Sequence, residues 1–389
     1  MSTLKKSLGG NVRQYGIVGA LLMIVLLFQI LTNGRLLLPN NVVSLVQQNA
    51  YVMILALGMV IVIIAGHIDL SVGSIVGFIG GVIGILMYDH GVPWFLAIAV
   101  GMLLGMVVGA WQGFWVAYVG VPAFIVTLAG WLMFRGLAIV LVGVTRAGFP
   151  EPFVAISNGS LPNSFGYIAG RDGVTLAIGV AVIAALVFAL LRARRALREN
   201  DLFVEPIGLF YLKVVLFGGL IAALTWVLSG SRGGMPIVLV LVGVLIVVYN
   251  FIMGRTVFGR HVYAMGGNLQ AAILSGVNTR TMNFRIFVNI GLLASIAAVV
   301  TTSKAGASVA NAGQLFELDA IAACFIGGTA VTGGVGRVYG VIVGALIMGV
   351  LNMGLSILAV DSAWQQVVKG LVLLLAVAFD LVNKRRAGR

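Results

Sequence analysis

Long apolar stretches dominate the chain, and short polar stretches separate them along its whole length. Many are close to or above the roughly 18–20 residues that a helix needs to cross the hydrocarbon of a bilayer. We predict helices, because lipid offers no hydrogen-bond partner to an open backbone. The twelve predicted spans are 15–32, 42–65, 71–88, 94–117, 122–143, 173–191, 212–229, 236–253, 283–303, 317–332, 338–359 and 364–382.

Two of these stretches, 71–88 and 317–332, are the shortest and the richest in glycine or alanine. Either could be a half-helix, so ten crossings remain an alternative to twelve. The predicted fold class is an all-α polytopic membrane protein with 10–12 transmembrane helices, two of them broken or short. We expect residues 1–389 to form a single transmembrane domain, because the long external loop 144–172 has room only for a short amphipathic element.

Composition excludes an ordinary soluble protein. Hydrophobic residues make up 61% of the chain and charged residues only 9%, whereas soluble domains are roughly 45–50% apolar and about 25% charged. The 53 glycines are about twice the usual share and favour close helix packing. The single cysteine, Cys324, excludes an intrachain disulfide, and the three histidines show no metal-ligand spacing.

The net charge of +13 is distributed in a way that argues against a nucleic-acid partner. Five of the 24 Lys and Arg residues fall on the predicted outer side and two fall within spans, which leaves 17 on the other side. This asymmetry fits the positive-inside rule and predicts that both termini are cytoplasmic. The basic clusters that flank the spans are Lys5, Lys6 and Arg13, the loops 192–213 and 254–285, and Lys384, Arg385, Arg386 and Arg389.

No catalytic motif is present in the sequence. The glycine-rich run 327–334 lacks the lysine of a phosphate-binding loop, and neither HExxH nor GxSxG occurs. We therefore predict no catalytic residue, no metal site and no cofactor, and we do not expect the chain to be an enzyme.

Two aspartates begin apolar segments in the two halves of the chain. The runs around Asp69 and Asp319 align so that Gly77 falls on Gly327. A faint echo of this kind is typical of transporters whose duplicated halves carry interrupted helices beside a central site. Each Asp either caps the following helix, by accepting its free backbone N–H groups, or contacts a transport path. Both interpretations remain open, and capping is the default one.

Three further charged residues lie in or beside predicted spans. Arg135 must find carbonyl groups, a carboxylate or water, and our default interpretation is anchoring near the outer interface by snorkelling. Lys369 is interpreted in the same way. Glu317 is expected to be a solvated residue in the first turn of its helix.

One polar segment, 254–285, interrupts the apolar pattern. Asn268 is suited to cap a helix, and Gly276 is suited to end one in the left-handed conformation. The segment therefore predicts a cytoplasmic helix over 264–277. From the residues alone, this helix is either an ordinary surface element or the docking site of a separate cytosolic motor.

At these residues the chain resembles the monosaccharide permeases of bacterial ABC importers, the group that includes ribose, galactose and xylose permeases. Four motifs carry the resemblance, and they follow one another in the expected order. They are Ile68–Ser74, Pro122–Gly130 with Phe134–Gly136, Met265–Val277, and Glu317–Ala323 with Gly327–Thr329. The extra length at about 145–230 resembles the xylose-type permease.

The resemblance implies a subunit of a sugar importer in the bacterial inner membrane. It implies an ABC ATPase partner, an extracytoplasmic sugar-binding protein, a permease homodimer and no nucleic acid. The implied ATPase-coupling residues are Gly266, Gly267, Asn268, Ala271, Ala272, Ser275, Gly276 and Val277. The candidate residues of the translocation path are Asp69, Ser71, Asp319 and Gly327.

Two other functions compete with this hypothesis. A secondary monosaccharide transporter driven by an ion gradient requires an essential titratable residue deep in the membrane. A membrane enzyme acting on a lipid-linked sugar requires a cluster of carboxylates or histidines, which the sparse inventory of such residues disfavours.

Overall fold

The computed structural model describes residues 12–204 and 206–387, and nearly all regular structure there is helical. The helices are α1 (Val12–Leu31), α2 (Pro39–Ile64), α3 (Val72–Tyr88), α4 (Trp94–Phe114), α5 (Ala123–Val142), α6 (Glu151–Asn158), α7 (Gly173–Glu199), α8 (Ile207–Ser229), α9 (Ile237–Arg255), α10 (Val257–Gly267), α11 (Leu269–Leu274), α12 (Thr279–Ala305), α13 (Phe316–Ile326), α14 (Val338–Ile357) and α15 (Ser362–Ala387). Two short antiparallel pairs join β1 (Arg146–Ala147) to β4 (Ala307–Ser308) and β2 (Tyr167–Ile168) to β3 (Arg171–Asp172).

Among the described residues, 8 helices are long and apolar enough to cross a membrane: α2, α4 with its π-helical continuation to Val119, α5, α7, α8, α9, α12 and α14. Shorter apolar helices lie within α1, α3 and α15. These findings confirm the prediction of an all-α polytopic membrane protein. Of the two segments predicted to be short or broken, the first forms α3, with 17 residues, and the second forms α13, with only 11 residues. The length of α13 is about 16 Å, or half of the hydrocarbon thickness. Its predicted end at 332 is wrong, because the helix stops at Ile326 and turns follow.

Prolines set the starts of many helices. Proline fixes φ near −65° and lacks an N–H, which costs nothing where the helix has no acceptor to offer. Pro39 is the first residue of α2. Five further prolines occupy the N-cap positions of α4, α5, α6, α8 and α9: Pro93, Pro122, Pro150, Pro206 and Pro236.

The centre of the bundle is built from α2 and α12. Of the residues in the most apolar stretch of each helix, 89% are buried in α2 and 72% in α12. Glycines let neighbouring helices approach them at backbone distance. In α4, glycines recur every fourth residue, and a Cβ on Gly105 would lie 2.6 Å from the carbonyl oxygen of Gly291 in α12. Such small-residue stripes drive close helix association where water supplies no hydrophobic force.

A hairpin of α7 and α8 lies at the periphery. Only 11% of the residues in the most apolar stretch of each helix are buried. At its base, the guanidinium of Arg171 lies 3.7 Å from the centre of the Trp226 ring. The predicted basic loop 192–213 is in part helical, because α7 continues to Glu199. The long loop predicted to be external contains the expected short amphipathic helix, α6. Lys5, Lys6 and Arg389 lie outside the described residues.

Candidate functional site

Two helices, α3 and α13, begin inside the bundle rather than at its ends. Non-helical segments precede them, 65–71 before α3 and 306–315 before α13. Within a membrane, such backbone is stable only where protein buries it or where it lines a water-filled space. These two segments are therefore the candidate functional part of the molecule.

The segment 306–315 inserts into the bundle alongside α3. Glycines of α3 make room for it: Gly84 faces Ser308, Gly77 faces Ala312, and Gly73 faces Gly313. A Cβ on Gly77 would lie 2.5 Å from the carbonyl oxygen of Ala312. From Gly84 to Gly73 the helix rises about 16 Å. The inserted segment therefore reaches roughly half the depth of the bundle before α13 begins.

A buried polar cluster surrounds the start of α3. Oδ1 of Asp69 accepts hydrogen bonds from the backbone N–H (2.8 Å) and the hydroxyl (2.6 Å) of Ser71. Nε2 of Gln112, on α4, donates to the Ser71 hydroxyl over 2.6 Å. Asp69 thus organises the turn before the helix, whereas Ser71 occupies the N-cap position. Oδ2 of Asp69 and Oε1 of Gln112 have no partner among the described residues.

Glu317, in the first turn of α13, lies against the first turn of α3. The indole N–H of Trp131 donates to its Oε1 over 3.2 Å. Its other oxygen, Oε2, has no partner among the described residues and is the atom that a Cβ on Gly73 would meet first. The predicted solvation of Glu317 is wrong, because only 4% of the residue is exposed. Its carboxylate instead lies near the electropositive N-terminus of α3.

Arg135 bonds to the inserted segment. Its Nη1 donates to the carbonyl oxygen of Ala312 over 2.8 Å. Because Ala312 lies outside any helix, its carbonyl has no helical N–H partner, and the guanidinium on α5 supplies the hydrogen bond instead. The bond meets the predicted requirement for a carbonyl partner, and anchoring by snorkelling stays a prediction.

Asp319 joins three helices rather than capping one. The hydroxyl of Tyr51, on α2, donates to its Oδ2 over 2.8 Å, and Nζ of Lys369, on α15, lies 3.1 Å from its Oδ1. The Tyr51 ring also stacks on Phe316 with 3.6 Å between ring centres. Capping is excluded for Asp319, and snorkelling is excluded for Lys369, because both side chains are committed to this contact.

The four candidate residues of the translocation path, Asp69, Ser71, Asp319 and Gly327, are all buried in this structure. The structure brings Asp69 and Ser71 together, and it places Asp319 within α13 and Gly327 directly after this helix. A Cβ on Gly327 would lie 2.5 Å from the carbonyl oxygen of Gly340, so this glycine permits close packing against α14. Their contact with a transported molecule stays a prediction.

The polar segment between α9 and α12 forms two helices, α10 and α11. Oδ1 of Asn268 accepts a hydrogen bond from the N–H of Ala271 over 3.0 Å, which confirms the predicted N-cap. Gly276 has φ of 83°, which confirms the predicted left-handed end. The single helix predicted over 264–277 is wrong, because the chain breaks at Asn268 between α10 and α11.

The short helix α11 presents apolar side chains to the outside. Leu269, Ile273 and Leu274 are 48%, 46% and 88% exposed. Sequence reasoning missed them, because apolar residues carry no signal in a chain that is mostly apolar. Of the predicted coupling residues, Gly267, Asn268, Ala271, Ser275 and Gly276 are exposed, Gly266 and Val277 are half-buried, and Ala272 is buried.

A backbone junction connects α10 to the core. Gly266 lies directly against the carbonyl of Ile64 at the end of α2, and the N–H of Gly334 donates to that carbonyl over 2.9 Å. The hydroxyl of Tyr263 donates to the carbonyl oxygen of Gly336 over 2.8 Å. Burial raises the pKa of the Tyr263 phenol, so it stays protonated and able to donate. These contacts join α10 both to the end of α2 and to the turns that follow α13.

Comparisons with known proteins place the chain among permeases. The family described as "Branched-chain amino acid transport system / permease component" matches residues 41–377. The chain is 40% identical over 376 residues to the Xylose transport system permease protein XylH of Haemophilus influenzae, covering 97% of this chain and 98% of that protein. For XylH of Escherichia coli the identity is 41% over 382 residues, covering 97% and 94%. The Ribose import permease protein RbsC of Escherichia coli is 32% identical over 347 residues, covering 89% and 87%. No solved structure matches the chain.

Proposed function

Since the chain belongs to the family of branched-chain amino acid transport system permease components, we propose that it is the membrane-spanning subunit of an ATP-driven monosaccharide importer of the xylose type. It is a transport component and not an enzyme. The relatives named for xylose match nearly the whole chain at 40% and 41% identity, whereas the ribose relative is 32% identical. The substrate of this chain is therefore a pentose such as xylose.

The exposed apolar surface of α11 carries the proposal. A side chain such as Leu274, 88% exposed outside the spans, faces water unless another protein covers it, and its burial would contribute about 1.5–3 kcal/mol. The neighbours Leu269 and Ile273 extend the same surface. We assign this surface to a cleft of an ABC ATPase subunit, with Asn268 and Gly276 fixing the two ends of the short helix.

Movement of α11 reaches the membrane through the junction at Gly266. Because α11 follows α10 directly, a push on α11 acts on the contact of Gly266 with Ile64 and Gly334. Gly334 belongs to the turns that continue α13, and α13 holds Glu317 and Asp319. Closure of the ATPase would thus shift the half-helix against α2 and α3 and open the path to the other side.

The remaining partners and the orientation follow from the same hypothesis. The basic residues near α10 and α11, among them Arg255, Arg260 and Arg280, support a cytoplasmic location of this end by the positive-inside rule. An even number of crossings then puts both termini in the cytoplasm of a bacterial inner membrane. A second copy of the chain completes the translocation path, and an extracytoplasmic sugar-binding protein delivers the substrate.

Co-purification with the ATPase subunit in mild detergent tests the proposal. Wild-type protein should retain the ATPase, and Leu274→Arg should release it, because a guanidinium cannot be buried unpaired in an apolar cleft. Ile168→Arg is the matched control: Ile168 is 58% exposed in a short strand outside the spans. Release by both variants, or by neither, would contradict docking through α11.

An ion-driven secondary transporter is the second candidate, and the intramembrane pair of Asp319 and Lys369 is the observation that favours it. Such a transporter needs the titratable group for coupling. Replacing Asp69 and Asp319 by Asn would abolish gradient-driven uptake. The ABC hypothesis instead predicts that a stably folded variant still imports sugar in an ATP-dependent manner.

A further inference from the structure

A strip of polar groups lies on the surface of the bundle at about half its depth. Asn311 and Gln314 are exposed on the inserted segment, and neither is hydrogen bonded to any residue that the structure describes. Beside them, Trp131 and Arg135 of α5 are only half-buried. Arg135 lies 7 residues before the end of α5, about 10 Å inside the membrane.

Lipid cannot cover such a strip. In hydrocarbon, the two exposed amide side chains and the part of the half-buried Arg135 guanidinium that is not bonded to Ala312 would lack partners, which costs several kcal/mol for each unsatisfied group. Non-helical backbone and charged groups occur at this depth where protein buries them or where they border a water-filled space. The strip therefore borders either the water of the translocation path or the second copy of the chain that completes this path under the proposed function.

We propose that Trp131, Arg135, Asn311 and Gln314 form a sugar-contact subsite on the wall of the translocation path. This inference rests on the proposed function and specifies which surface the sugar meets. Sugar hydroxyls donate and accept hydrogen bonds, and the two amides offer both. The indole of Trp131 adds an apolar face for a sugar ring.

Glu317 supports the subsite from behind. Its Oε1 fixes the indole N–H of Trp131, and its buried Oε2 lacks a donor among the described residues. A hydroxyl that reached this oxygen as α13 moved would supply the missing hydrogen bond. The predicted path residues Asp69 and Ser71 lie deeper and do not contribute exposed atoms.

Labelling of single cysteines with a membrane-impermeant, water-soluble thiol reagent tests the inference in the complete transporter. The native Cys324 is fully buried and serves as an unreactive background. Gln314→Cys should react at least ~10-fold faster than Met133→Cys, because the reactive thiolate forms only in water. Met133 is the matched control: it is 41% exposed on α5, at the same depth, about 160° around the helix from Trp131 and Arg135.

The ratio of sugar molecules transported to ATP molecules hydrolysed tests the contact between the sugar and the subsite. Gln314→Leu should lower this ratio roughly fivefold, the equivalent of one hydrogen bond, while stimulation of the ATPase by the sugar-loaded binding protein persists. Met133→Leu should leave the ratio unchanged. Equal labelling at the two positions, or an unchanged ratio in Gln314→Leu, would overturn the inference. Absence of ATP-dependent uptake by the unlabelled wild type would instead overturn the proposed function, and the labelling result would still stand by itself.

Discussion

The carboxylate of Asp319 lies 3.1 Å from the ammonium nitrogen of Lys369, and this ion pair ties the half-helix α13 to the last helix α15. The side chains are 5% and 26% exposed. Tyr51 supplies a hydrogen bond to the second carboxylate oxygen. Because each charge would be costly alone in a low-dielectric environment, the pair fixes the position of α13 while keeping the membrane interior neutral.

Breaking this ion pair should destabilise the protein strongly. Lys369→Met leaves Asp319 without its counter-charge, which should cost about 3–5 kcal/mol of unfolding free energy. The double variant Lys369→Met/Asp319→Asn removes both charges and should recover most of that loss. Unfolding in detergent measures both effects. If the double variant were less stable than Lys369→Met, the loss in stability of Lys369→Met could not come from an unpaired charge on Asp319, and the described role of the ion pair would be wrong.

The glycine junction makes a prediction with an internal control. Gly266→Ala would drive a Cβ into the carbonyl of Ile64 and within 2.6 Å of the Gly334 nitrogen, whereas Gly267 has nothing within 4 Å of its would-be Cβ. Overpacking of this kind costs about 1–3 kcal/mol or forces a backbone shift. We expect Gly266→Ala to impair ATP-dependent uptake several-fold and Gly267→Ala to leave it near wild type. Similar uptake by both variants would argue against a coupling role for the junction.

An ion pair outside the spans predicts a dependence on pH. The guanidinium of Arg146 hydrogen bonds both oxygens of Asp89, over 3.0 and 2.8 Å, and lowers the pKa of that carboxyl below its ordinary 3.8. Since the folded-state pKa is the lower one, the stabilisation is complete above about pH 4 and disappears as the pH falls through the folded-state value. Asp89→Asn should therefore unfold more easily than wild type at pH 7, and the difference should vanish on acidification.

Salt provides the control for this prediction. Both side chains are partly exposed to water, so 1 M salt should shrink the difference between wild type and Asp89→Asn at pH 7. A difference that grew as the pH was lowered would contradict the assignment.

Local features of the site were predictable where one stretch of chain decides them. The cap at Asn268 and the left-handed Gly276 depend on neighbours within a few residues, and both are found as predicted. The short length of α13 was predictable from its glycine- and alanine-rich sequence. Pairing partners were not predictable: Trp131 bonds Glu317 across 186 positions, and nothing in either local sequence indicates the other.

The sequence by itself determined that this is a helical membrane protein, because 61% hydrophobic residues in span-length runs have no other stable solvent than lipid. It also placed a polar helix-forming segment between two spans. Only the tertiary structure decided what the buried charges do. Asp319 meets Tyr51 across 268 positions and Lys369 across 50. A charge in low dielectric must find its partner in space, and the packing of helices selects that partner rather than proximity along the chain.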